Sequence, residues 1–108
     1  MINRIVTSEL PGLISELGQE NVVVIDARDK KKFDNGHFPG AVSVDISVKN
    51  ENLKLLGFMK KSAIFIYCEY GIRTQSVIEK LKDAQYKGDI YRITGEIEEW
   101  INNGFNSQ

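Results

Sequence analysis

Ala63-Ile64-Phe65-Ile66-Tyr67-Cys68-Glu69-Tyr70-Gly71-Ile72-Arg73 joins an unbroken apolar run to a glycine-containing loop. The run Ala63 to Tyr67 has the length and composition of a strand covered on both faces. From Thr74 to Ala84, the positions Val77, Ile78, Leu81 and Ala84 recur at helical spacing, which predicts an amphipathic helix. Cys68, the chain's single cysteine, therefore stands between a strand and a helix start. A thiol placed there meets convergent backbone N–H groups and the positive end of a helix dipole, which stabilise thiolate over thiol. The thiolate is the nucleophile, so Cys68 is a candidate reaction centre. Free cysteine also serves as a small buried hydrophobe. That role needs neither Gly71, which permits positive φ, nor Arg73, a fixed cation with a fork of donors.

Outward from this segment, short apolar runs alternate with helical patterns. Ile2 to Val6 reads as a short strand. Ser8 is the expected N-cap of a helix that carries Leu10, Leu13, Ile14 and Leu17 on one face, with Pro11 in its first turn and Gly18 as its stop. Val22-Val23-Val24-Ile25 is a β-branched run of the kind found in buried parallel strands. Asp29 caps a short helix through Phe33 that ends at Gly36. Phe38-Pro39-Gly40 signals a turn, and Ala41 to Val44 a short strand. Asn50 to Met59 reads as a short helix and loop, with Leu53, Leu56 and Phe58 supplying apolar surface. Asp89 to Ile93 is a further strand. The last helix is expected to bury Ile97, Trp100 and Ile101, with Glu96, Glu98 and Glu99 near its positive end. Residues 102–108 form a polar end, expected to fray after Gly104.

Strands alternating with helices predict an α/β domain: a small, mostly parallel, five-stranded sheet with helices on both faces. In such folds ligands bind beyond the carboxyl ends of the strands, where Cys68 is placed. Asp26 and Arg28 end another strand and are expected at the same rim, as an ion pair supporting the Cys68 loop. At 108 residues the whole chain fits one domain with a core of its own. Its 14 basic and 15 acidic residues nearly cancel, which argues against nucleic acid as the main partner. No apolar run approaches the roughly 20 residues that span a bilayer, so no membrane association is expected. Met1 to Ile5 shows no signal-peptide pattern, and the reducing cytoplasm is the expected location. With no Cys/His ligand cluster, neither a metal nor an organic cofactor is implied. His37, the only histidine, and Trp100 are read as structural. Lys30-Lys31-Lys32 is read as a solvated helix face, able to steer anions should it lie near Cys68. Tyr70, inside the loop, is placed to shape substrate access.

Four segments in order resemble the single-domain rhodanese-like sulfurtransferases, over nearly the whole chain. They are Val24-Ile25-Asp26-Ala27-Arg28 running into Phe33; Gly36-His37-Phe38-Pro39-Gly40-Ala41; Cys68 to Arg73; and Tyr91-Arg92-Ile93-Thr94-Gly95 followed by Trp100 and Gly104. The resemblance implies a thiosulfate sulfurtransferase-like enzyme (a rhodanese) that works through a Cys68 persulfide. Its donor would be thiosulfate, a polysulfide or a persulfide; its acceptor cyanide, a thiol or a sulfur-relay protein. Backbone amides of residues 69 to 73, from Glu69 through Tyr70, Gly71 and Ile72 to Arg73, would cradle the sulfur as a nest does. Arg73 would hold donor oxygens or brace the loop. Four residues separate Cys68 from Arg73, whereas related phosphatases and arsenate reductases place five there. By resemblance the shorter loop favours sulfur over a phosphoryl group. Glu69 is expected to repel anionic thiosulfate. A non-catalytic rhodanese-like binding or sulfur-relay module is the alternative from another class.

Overall fold

The continuous apolar runs form the middle of the sheet. Val22–Asp26 (β2) and Ala63–Tyr67 (β4) are buried at every position. The computed structural model, which describes residues 2–104, pairs them in parallel, from Val22 beside Ala63 to Asp26 beside Tyr67. Asp89–Thr94 (β5) lies on the other side of β4, and Ile2–Val6 (β1) pairs outside β5. Val42–Ser43 (β3) forms the opposite edge, next to β2. The order is β1-β5-β4-β2-β3 and every pairing is parallel. This is the α/β class expected from the alternation of runs.

Side chains of a strand alternate between faces. Ile64 and Ile66 of β4 join Val23 and Ile25 of β2 beneath Ile72–Asp83 (α3), which contributes Val77, Ile78 and Leu81. Ala63, Phe65 and Tyr67 face the other way. There they meet Leu10 of Leu10–Leu17 (α1), and Ile97 and Ile101 of Ile97–Gly104 (α4). Phe33 of Lys30–Asn35 (α2) packs on that second face. Asp29 caps α2 as expected, its carboxylate accepting the Lys32 N–H at 3.0 Å.

Several local expectations are corrected. Ser8 does not cap α1: Thr7–Glu9 form a 3-10 turn whose Glu9 carboxylate accepts the Val6 N–H, and the α-helix begins at Leu10. Glu51–Phe58 is a 3-10 helix. Its three residues per turn align Leu55 with Phe58, so those two reach the core while Leu53 and Leu56 stay exposed. Ala84 is exposed at the end of α3, just past its last turn. Residues 102–104 complete α4, and 105–108 lie outside the described residues. Among the described residues, no helix is long and apolar enough to cross a membrane.

Candidate active site

Strand β4 delivers Cys68 to the carboxyl edge of the sheet, on the α3 face, where it is 5 % exposed. Helix α3 begins four residues later, two residues earlier than its apolar pattern predicts. Gly71 precedes it with φ +84°, a left-handed conformation that glycine adopts without steric cost. Gly71 has no side chain to satisfy the first amides of α3, and the Cys68 sulfur takes that place. It accepts from the Gly71 N–H at 3.1 Å, the Thr74 N–H at 3.4 Å and the Thr74 hydroxyl at 3.0 Å. Three donors aimed at one sulfur, at the positive end of a twelve-residue helix, favour negative charge on that atom.

This cradle differs from the expected one. Of the amides of residues 69 to 73, only that of Gly71 donates to the sulfur. The other two donors belong to Thr74, a residue that the sequence reading placed merely at a helix start. The signal was there: a small hydroxyl residue in the first turn after a strand-end cysteine lies where N-terminal amides converge.

Arg73 lines a smaller cavity with Cys68 but makes no hydrogen bond to the sulfur. Its guanidinium donates to Asp45 at 2.9 Å, so it braces the loop against the segment after β3. Asp45 also accepts from the Lys30 N–H at 2.9 Å and from the Ser47 N–H at 3.0 Å. Burial alone would push the Asp45 carboxyl up; the Ser47 hydroxyl, these backbone donors and Arg73 outweigh it and hold the carboxyl at about 2.

Glu69 is not a bare charge beside Cys68. Its carboxylate pairs with the Lys32 ammonium, which links α2 to the loop. The hydrogen bond to Glu69 is the main cause that holds the Lys32 pKa above its usual value. The pairing offsets the repulsion expected of Glu69 toward an anion, and takes Lys32 out of the solvated face assigned to the lysine run.

Asp26 and Arg28 reach the same edge of the sheet but its opposite face. Asp26 pairs in register with Tyr67, and residues adjacent along a strand point to opposite faces, so it lies across the sheet from Cys68. Arg28 is 2 % exposed and binds the fully buried Asp26 at 2.8 Å, the Gly36 carbonyl at 2.6 Å and Glu98 at 3.1 Å. The pair ties β2 to the turn after α2 and to α4. Toward the Cys68 loop the pair meets Tyr67, whose ring the guanidinium overlies at 5.7 Å. His37 is structural in its contacts: it stacks on Phe33 at 3.8 Å and its Nδ1 bonds the Phe33 carbonyl at 2.8 Å. Trp100 packs on Tyr67 and Phe38.

A cavity of about 360 Å³ opens at Cys68. Its charged lining consists of Glu69 and two arginines, Arg4 of β1 and Arg92 of β5, neither singled out from sequence as a site residue. Tyr70 also lines it and is 85 % exposed, while Ile72, 75 % exposed, borders a smaller cavity with Arg73. Among the described residues, no group of three or more His, Cys, Asp or Glu side chains is placed to hold a metal ion.

A family model described as a rhodanese-like domain matches residues 11–103. Thiosulfate sulfurtransferase GlpE of Coxiella burnetii is 26% identical over 82 residues, covering 76% of this chain and 74% of that protein. The tRNA uridine(34) hydroxylase of Listeria welshimeri is 35% identical over 85 residues, 72% of this chain but 25% of that protein. A rhodanese-like domain protein from Staphylococcus aureus superposes with a TM-score of 0.74 at 23% identity, covering 98% of both chains, a likeness of fold.

Proposed function

We propose, for a chain that belongs to the rhodanese-like domain family, that it is a sulfurtransferase working through a Cys68 persulfide. The observation that carries this reading is the sulfur of Cys68 held by three donors at the start of α3. The Cys68 thiolate attacks the outer sulfur of a donor such as thiosulfate. A new S–S bond forms, the donor's own S–S bond breaks, and sulfite leaves with the electron pair. The persulfide that remains keeps its charge among the same donors. A thiolate or cyanide then attacks its outer sulfur, and Cys68 departs as thiolate. These two half-reactions give ping-pong kinetics.

Loop geometry supports sulfur over phosphate as the transferred group. Arg73 pairs with Asp45, so a phosphoryl group would have to compete with that carboxylate for the loop's guanidinium. The chain has one cysteine, so the acceptor thiol belongs to another molecule. Small sulfur anions and thiols fit the 360 Å³ cavity.

Intact-protein mass spectrometry tests the cycle. Wild type and Cys68→Ser are incubated with thiosulfate or polysulfide, then with cyanide. A gain of about 32 Da on wild type alone, removed by cyanide, is the covalent intermediate expected of this nucleophile. No gain with any donor would sink the reading and favour a binding module.

A further inference from the structure

Arg4 and Arg92 are register partners in β1 and β5. In a parallel pair that alignment directs both side chains to one face, from backbones about 5 Å apart. Both line the cavity that holds Cys68. Like charges on directly facing strand positions repel, and nothing acidic on the described chain relieves these two. Arg92 donates to the Gly71 carbonyl at 3.4 Å and to the Gln75 amide oxygen, both uncharged acceptors. Arg4 is exposed and makes no side-chain hydrogen bond or ion pair among the described residues. The only carboxylate lining the cavity, Glu69, is taken by Lys32. Ile2 and Val6, on the same face of β1 as Arg4, are 43 % and 48 % exposed, so this end of the cavity is open to solvent.

Two guanidinium groups thus stand together beside a nucleophile, with unused donors and no counter-charge of their own. We infer that Arg4 and Arg92 form an anion subsite of the Cys68 cavity, which selects small sulfur substrates carrying an oxyanion close to the reacting sulfur. The substrate class rests on the sulfur-transfer reading; the binding of an oxyanion does not. The fork of a guanidinium fits the sulfonate oxygens of thiosulfate and the carboxylate of an acidic thiol equally well. In the donor half-reaction the arginines hold the sulfonate end while Cys68 takes the outer sulfur, and sulfite departs from them. In the acceptor half-reaction they would hold the carboxylate of a thiol attacking the persulfide. Arg92 has a second task, since its contact with the Gly71 carbonyl steadies the residue whose N–H donates to the sulfur.

The test uses Cys68→Ser, which cannot react, and follows backbone amide NMR shifts of Gly71, Thr94 and Gly95 during titration. Thiosulfate and mercaptoacetate are the two anionic probes; mercaptoethanol is the uncharged control. The expected result is saturable shifts with an anionic probe and none with the control, with binding about tenfold weaker when Arg4→Gln is added. Arg4→Gln alters an exposed side chain without partners, so its fold is secure. A response to thiosulfate alone assigns the subsite to the donor, and to mercaptoacetate alone to the acceptor. Absence of saturable shifts with either anion, or equal binding in Arg4→Gln, overturns the inference. Sulfur loading of wild type is scored separately. Loading without Arg4-dependent binding removes the subsite and leaves sulfur transfer. Binding without loading removes sulfur transfer and leaves an anion site.

Discussion

Replacing Thr74 by Val removes one hydroxyl and keeps a β-branched shape at a position that is 1 % exposed. The lost bond is the 3.0 Å contact from Thr74 Oγ1 to the Cys68 sulfur. A hydrogen bond to a charged group contributes about 1.5–3 kcal/mol, which is roughly 10- to 150-fold in the stability of a thiolate that it holds. The less stabilised thiolate is also a better nucleophile. With a Brønsted coefficient of about 0.4–0.5, close to half of that loss returns on a logarithmic scale. The net expectation is a reaction about 4- to 15-fold slower. The assay is thiol–disulfide exchange with an uncharged dipyridyl disulfide, read by absorbance on the limb where rate still rises with pH. An uncharged probe keeps the arginines out of the measurement. Thr74→Ser retains the hydroxyl and should react much like wild type. A Thr74→Val rate within twofold of wild type, or a Ser variant as slow as the Val variant, would refute the role of the hydroxyl.

Three further perturbations have defined outcomes. Asp45→Asn should destabilise the fold by roughly 2 kcal/mol at neutral pH, because the folded carboxyl sits at about 2 against an ordinary 3.8. Between those values the unfolded chain binds more protons, so this contribution is present above about pH 4 and lost as pH falls toward 2; urea melts of both proteins should converge there, and a gap that stays constant would contradict the assignment. Lys32→Met leaves Glu69 unpaired at the rim and should slow sulfur loading from thiosulfate roughly two- to fivefold, with Glu69→Gln added on top restoring it. Arg28→Met strands the buried Asp26 charge and should cost about 3–5 kcal/mol in denaturant unfolding; the double change with Asp26→Asn should recover part of the loss, and a cost below about 1 kcal/mol would show that the pair is dispensable.

The strands and the position of Cys68 were legible because both depend on local pattern. Ala63 to Tyr67 and Val22 to Ile25 are continuous apolar runs, and only a sheet covered on both faces buries such runs completely. What stayed hidden is set by pairing across the fold. Arg73 meets Asp45, Lys32 meets Glu69 and Arg4 lies beside Arg92, and none of these pairs shares a local motif. Sequence order does not dictate strand order, so nothing in residues 2–6 announces that Arg4 will line the cavity of Cys68. Asp26 and Arg28 were expected at the rim as an ion pair and do pair there, but strand phase puts Asp26 across the sheet from Cys68, which the rim alone does not reveal. In the 3-10 segment, Leu53, Leu56 and Phe58 were read as the apolar surface; Phe58 does reach the core, but with Leu55, while Leu53 and Leu56 stay exposed.

The neighbour relation between β1 and β5 has a consequence for how the protein is made. A polypeptide leaves the ribosome N-terminus first, so β1 emerges before β5 and lacks its strand partner until β5 follows. The Cys68 loop emerges between them. During that interval a nascent chain carries the Cys68 thiol before Arg92 can join Arg4 beside it, and joining strands so distant in sequence is a slow step of folding. The wall of the cavity that carries Arg4 and Arg92 is thus completed only after the Cys68 loop has been made.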